Sequence, residues 1–175
     1  MHKIRYEGRN YETWGELPDV GSRAPDVSLV NTRLQDVSLA NWHGLRKVIF
    51  SFPSIDLSVC AAAVATFDRI SGDYDDVAAL MVSCDLPFAF RRYLEQNSFD
   101  RVIALSAIRH AGFGENYGVL VVEGPLKGMF ASAVVVLDEN NTVVHREQIE
   151  EVTAEPDYMA AYQALGIVID PEVLR

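Results

Sequence analysis

Two uninterrupted apolar runs constrain this chain more than any other feature. Residues 47–52 (Lys47-Val48-Ile49-Phe50-Ser51-Phe52) and 77–83 (Val77-Ala78-Ala79-Leu80-Met81-Val82-Ser83) lack the alternation of a half-solvated strand. Runs of this kind suit strands buried on both faces, as in an α/β sheet. Between them, the segment from Pro53 to Val59 breaks the first strand, and residues 60–70 read as a helix. Residues 87–95 form a second helical stretch with Pro87 near its first turn, and residues 102–105 form a further strand. Residues 131–137 and 142–145 read as a hairpin turning at 138–141, and residues 156–165 have helical spacing. Ahead of this core, residues 4–14 read as a small hairpin turning at Glu7-Gly8. Pro18, Gly21 and Pro25 mark a linker, and residues 27–30 and 37–39 are short strand-like pieces. The order β-α-β-α-β, then a β-hairpin, then α predicts an α/β fold: a mixed, thioredoxin-like sheet flanked by helices. On this reading residues 1–19 are a hairpin extension and residues 20–175 the single domain.

The 175 residues are enough to bury roughly two-thirds of the unfolded surface in one domain. Twenty-five acidic against fifteen basic residues give a formal charge of -10, which argues against nucleic acid or an anionic membrane as partner. Neither a leader-like apolar segment after Met1 nor a run approaching the ~20 residues of a membrane span is evident, so a cytoplasmic protein is expected. The four histidines, His2, His43, His110 and His145, are scattered without paired spacing, and no metal site is expected. Residues 112–118 are glycine-rich but lack the spacing of a phosphate-binding loop, so a turn or short helix is the simpler reading.

The chemistry rests on cysteine. Cys60 and Cys84 are too few for a disulfide scaffold. Cys60 falls where a strand, a proline-containing turn and a helix meet. There the unpaired N–H groups and the positive end of the helix dipole favour thiolate over thiol.

Five motifs carry a family resemblance that runs from about Val20 to Leu165. They are Pro53-Ser54-Ile55-Asp56 leading to Val59-Cys60; Asp85-Leu86-Pro87-Phe88-Ala89; Gly124-Pro125-Leu126-Lys127-Gly128; Ala133-Val134-Val135-Val136-Leu137-Asp138-Glu139; and Glu155-Pro156-Asp157-Tyr158. The chain resembles the thiol peroxidase branch of the peroxiredoxins, the atypical two-cysteine type. The resemblance implies a thioredoxin fold with an N-terminal hairpin and a homodimer, and the aromatic residues Phe88, Phe90 and Phe113 are expected on loops bordering the site, where they would serve that interface. It also implies reduction of hydrogen peroxide and organic hydroperoxides without a cofactor, with thioredoxin or another thiol as reductant. Cys60 then matches the peroxidatic cysteine and Pro53 the proline that shields it. The family's hydroxyl position falls on Leu57, with Ser58 one residue late; its arginine falls on Ser132, and its resolving cysteine on Leu94. Ser58 and Ser132 are therefore the candidate substrate-binding positions beside Pro53.

Two readings stay open. In one, Cys60 turns over peroxide with altered efficiency, Cys84 resolves its sulfenic acid, and Arg91, Arg92 or Arg109 stands in for the arginine. In the other, the chain is an impaired relative that acts as a peroxide sensor or interaction module.

Overall fold

The computed structural model describes residues 2–174. The N-terminal strands β1 (Lys3–Tyr6) and β2 (Arg9–Glu12) pair antiparallel around the Glu7-Gly8 turn. Next come β3 (Leu29–Asn31), β4 (Asp36–Val37) and a 3₁₀ turn at Leu39–Trp42. The core then runs through β5 (Arg46–Ser51), α1 (Ser58–Ser71), β6 (Val77–Ser83), α2 (Pro87–Asn97) and β7 (Val102–Ser106). It closes with α3 (Gly112–Asn116), β8 (Ala133–Leu137), β9 (Val143–Gln148), α4 (Tyr158–Gln163) and a 3₁₀ turn at Pro171–Leu174.

Seven strands form one mixed sheet in the order β4-β3-β7-β6-β5-β8-β9. β5, β6 and β7 are parallel, and β8 runs antiparallel to β5. The two apolar runs thus lie side by side at the centre of the sheet, where both faces are covered. On one face Val48, Phe50, Ala79 and Met81 pack beneath α1, α2 and α4, through Phe67, Phe90 and Tyr162. On the other, Ile49, Leu80 and Val82 meet Leu39, Phe113 and Tyr117. The mixed α/β sheet flanked by helices and the N-terminal hairpin agree with the sequence reading.

One local expectation changes, and the structure adds two details. The first helix begins at Ser58, two residues before Cys60, because Leu57 opens it without a side-chain cap to signal the start. The glycine-rich stretch at 112–118 resolves into α3 and its C-terminal turn. Lys47, within the first apolar run, is fully buried; its ammonium donates to Asn141 Oδ1 at 2.6 Å and ties β5 to the β8–β9 turn.

The hairpin is not a loose arm. The Arg5 N–H donates to the Glu150 carbonyl at 2.6 Å, and the Val152 N–H donates back to the Arg5 carbonyl at 3.0 Å. Ile4 fills a small cluster with Val121, Leu126, Ala131 and Val152. The segment after the hairpin passes close to Gly118, which sits at φ +67; a Cβ there would lie 2.2 Å from the Glu16 carbonyl oxygen. Backbone, not a flexible side chain, blocks that space. Gly118→Ala is expected to destabilise the protein by about 2 kcal/mol or more, read as a lower urea midpoint at unchanged slope. Wild-type stability in that variant would contradict this packing.

Candidate active site

The loop that delivers Cys60 is built at the C-terminal ends of β5 and β6. The Phe52 N–H still donates to the Val82 carbonyl at 3.1 Å, and the chain then leaves the sheet at the buried Pro53. Asp85, just beyond β6, holds the turn that comes after this proline. Its carboxylate accepts from Ser54 Oγ at 2.8 Å, from the Ile55 N–H at 2.8 Å and from Ser83 Oγ at 2.6 Å. Its own N–H donates to Ser83 Oγ at 3.0 Å, and its carbonyl accepts from Ser106 Oγ at 2.5 Å. One residue therefore fastens the turn before α1 to the ends of two neighbouring strands.

Cys60 is the third residue of α1 and is 1% exposed, packed in the cluster that holds Phe52, Ile55 and Phe90. Burial pushes its thiol up to about 11. A hydrogen bond from the Ser54 backbone opposes this, as do the Ser132 hydroxyl and the Cys60 amide, whereas the Asp85 charge adds to the rise. From sequence the helix start is expected to favour thiolate over thiol; of the helix only the Cys60 amide does so, and desolvation outweighs it, so the thiol form is favoured.

The other predicted positions divide. Ser132 is buried and its hydroxyl favours the Cys60 thiolate, while its carbonyl accepts from Gln148 Nε2 and the Ile149 N–H, both at 3.0 Å. Ser58 is exposed and lines an open cleft with Leu57, Val59 and Thr153. Leu94, on α2, packs against the Cys60 cluster. Cys84 is half-buried on the other side of the sheet, packed against the cluster of Leu80 and Val82, with its sulfur 3.6 Å from the Gly128 carbonyl. Burial, then the Asp85 charge, pushes its thiol up to about 11 as well. β5 and β6 are neighbours, yet the two cysteines belong to different clusters and both are free. A disulfide needs Cβ atoms about 4 Å apart and turned toward each other, so joining these two requires the chain to move.

Of the three arginines considered as substitutes, Arg91 and Arg109 are engaged away from Cys60, and Arg92 pairs at the surface of the turn before α1. Arg91 donates to the Thr32 carbonyl, Arg109 to the Leu34 carbonyl at 3.2 Å, and Arg92 sits 3.8 Å from Asp56. Asp85 stands within one of the sequence motifs, but its clamping role was missed from sequence. So was Tyr93, whose hydroxyl donates to the Ala61 carbonyl at 2.9 Å and joins α2 to α1. Among the described residues, no group of three or more His, Cys, Asp or Glu side chains could hold a metal ion.

Comparison with known proteins places this geometry. Residues 19–162 match the Redoxin family. A thiol peroxidase of Corynebacterium glutamicum is 39% identical over 166 residues, covering 95% of this chain and 100% of that protein. The chain belongs to the thiol peroxidase branch of the peroxiredoxins. A thiol peroxidase of Mycobacterium bovis is likewise 39% identical over 166 residues, covering 95% of this chain and 99% of its own. The crystal structure of a peroxiredoxin-like protein from Aquifex aeolicus superposes with a TM-score of 0.87 at 32% identity, covering 94% and 96% of the two chains. In this peroxiredoxin the strand ends that lead to Pro53 and Asp85 frame the helix that carries Cys60.

Removing the clamp with Asp85→Ala should cost about 3 kcal/mol in urea unfolding, since three hydrogen bonds to one carboxylate are lost. Asp56→Ala, on an exposed carboxylate, should change stability by under about 0.5 kcal/mol. Equal effects would contradict the clamp. In a Cys84→Ser variant, the alkylation rate of Cys60 should rise about tenfold per pH unit from pH 7 to 10, tracking the thiolate fraction. A plateau near neutral pH would contradict the raised pKa. Stability depends on pH in a matching sense. The folded state holds the Cys60 proton more tightly than the unfolded chain, whose thiol has the ordinary value of 9.0. The contribution of this proton is therefore complete below about pH 9 and is lost as pH rises toward 11.

Proposed function

We propose that the protein is a cysteine-based thiol peroxidase acting through Cys60 on hydrogen peroxide and organic hydroperoxides. The observation that carries this reading is the position of Cys60 on the first turn of α1, behind the Pro53–Asp56 turn clamped by Asp85, in a chain of this family. The Cys60 thiolate attacks the distal peroxide oxygen, and the S–O bond forms as the O–O bond breaks. The departing alkoxide or hydroxide takes a proton, leaving Cys60 as sulfenic acid. An external thiol, in our reading thioredoxin, condenses with the sulfenic acid to a mixed disulfide and water. Its second thiol then releases reduced Cys60. Resolution by an external thiol is favoured over Cys84 because the two cysteines pack in different clusters.

The rate is set by groups the site lacks. With a thiol pushed up to about 11, roughly one molecule in 10⁴ carries the thiolate at pH 7. Ser132 stands at the family's arginine position and Leu57 at its hydroxyl position. A preorganised donor to the departing oxygen contributes about 10²–10³ in rate. These features favour a second reading, a slow peroxide sensor oxidised once rather than cycled. Turnover under excess thioredoxin, against stoichiometric oxidation of Cys60, separates the two.

We also read the protein as a cytoplasmic homodimer. Two free cysteines suit a reducing compartment, and among the described residues no helix is long and apolar enough to cross a membrane. Leu86, Phe88 and Ile108, each more than half exposed, lie just past the ends of the neighbouring strands β6 and β7 and offer an apolar surface to a second copy. Of the three aromatic residues expected there from sequence, Phe88 alone is exposed; Phe90 and Phe113 are buried in opposite faces of the core.

Leu57→Thr combined with Ser132→Arg should raise the stopped-flow rate of Cys60 oxidation by about 10³ or more. A wild-type rate already near the diffusion limit would refute this role for the missing donors. Light scattering should return twice the chain mass at micromolar concentration, and Phe88→Asp should shift it toward the monomer. A monomer for the unmodified chain would contradict the dimer.

A further inference from the structure

Cys60 is 1% exposed, yet its sulfur has to meet the sulfur of an external thiol. Hydrogen peroxide is small enough to reach a thiol through a narrow opening. A thiol carried on another protein is not, so the segment that buries Cys60 must open before the oxidised sulfur is reduced. Whatever holds that segment closed then bears on the second half of the reaction and not on the first.

Two tethers hold it, one on each side of Cys60. On the near side the Asp85 carboxylate accepts from Ser54 Oγ and the Ile55 N–H, both at 2.8 Å. On the far side stands Ala61, whose N–H donates to the Leu57 carbonyl at 2.9 Å and closes the first turn of α1. The Ala61 carbonyl in turn accepts from the Tyr93 hydroxyl at 2.9 Å. Both tethers come from one stretch of chain, since Asp85 immediately precedes the cap of α2 and Tyr93 lies in the second turn of that helix. A further contact from α2, Arg92 to Asp56 at 3.8 Å, is exposed on both sides and holds little. The Tyr93 ring has its own supports. It meets Phe99 edge-on with centroids 5.9 Å apart and packs against the cluster that contains Cys60. Removing the hydroxyl therefore leaves the ring in place. Burial raises the phenol, so the hydroxyl keeps its proton and its role as donor at neutral pH.

We propose that Tyr93 is a positioning residue that latches the first turn of α1 shut around Cys60 and so limits how fast the oxidised sulfur is delivered to the external thiol. This role rests on Cys60 being the peroxide-reactive thiol. In the limited step the incoming sulfur bonds to Cys60 as the S–O bond of the sulfenic acid breaks, and the oxygen leaves as water with the proton of the thiol. Tyr93 touches none of these atoms. It acts through the Ala61 carbonyl, on the fraction of molecules whose first turn is open.

The test compares the full chain with its Tyr93→Phe variant, both in a Cys84→Ser background. Losing one hydrogen bond of ordinary net strength shifts a local opening by about fivefold. The amides of residues 61–64, which bond back into the first turn, should exchange with deuterium about fivefold faster in the variant, with residues 66–71 of the same helix unchanged. No change, or an equal rise along the whole helix, overturns the latch. Stopped-flow rates supply the second readout. Thioredoxin should reduce the sulfenic acid of Cys60 about fivefold faster in the variant, while hydrogen peroxide oxidises Cys60 within about twofold of the parent rate. Equal changes in the two steps would mark a merely structural contact and overturn the role in reduction. If peroxide does not oxidise Cys60 in either protein, or thioredoxin does not reduce it, the peroxidase reading fails, and amide exchange alone then decides the latch.

Discussion

The carboxylate of Asp85 is the contact on which the site depends. α1 starts after a proline turn and lacks a side-chain cap; the Asp56 and Leu57 N–H groups bond back to Ser54, so where its first residues sit depends on what fixes that turn to the sheet. Asp85 supplies that fixing from 30 residues away, accepting from the side chain of Ser54 and the backbone of Ile55 while leaning on Ser83. Because β5 and β6 are parallel neighbours, their C-terminal ends reach the same edge of the sheet, and one short acidic side chain can span them. The crevice outside the carboxyl ends of the strands is where open α/β sheets gather their chemistry. The register of two buried strands thus positions a thiol.

The same clamp carries an electrostatic cost. A fixed negative charge near Cys60 works against the thiolate, and burial works against it more. The Cys60 amide and the Ser132 hydroxyl pull the other way without prevailing. A guanidinium at position 132 would offset both unfavourable contributions at once. With serine there, the fold presents a thiol correctly placed and incompletely activated. Placement and activation are separable properties: the sheet and Asp85 supply the first, and charged neighbours supply the second.

The sheet was legible because its central strands are apolar on both faces and stand out as unbroken runs. The same property hid which face each residue takes. Met81 turns toward the α1 layer and Val82 away from it, but nothing in an all-apolar run tells the two apart, so the sides of Cys60 and Cys84 could not be read. Cys60 and Ser132 were singled out from motif position; both are buried, and the Ser132 hydroxyl works against the rise in the Cys60 pKa. The role of Asp85 was not readable, because Ser54 and Ile55 lie far away in sequence. Phe90 and Phe113 were placed at the rim when they belong inside, since a helix's buried stripe is fixed only once its packing partner is known.

Cys60, and not the more accessible Cys84, is on this reading the thiol that peroxide oxidises. Trapping with dimedone during exposure to one equivalent of hydroperoxide, with peptide mass mapping of the product, tests it directly. The adduct is expected on the peptide containing Cys60, and it should disappear in Cys60→Ser with Cys84 left unmodified. An adduct on Cys84 with Cys60 untouched would contradict the assignment.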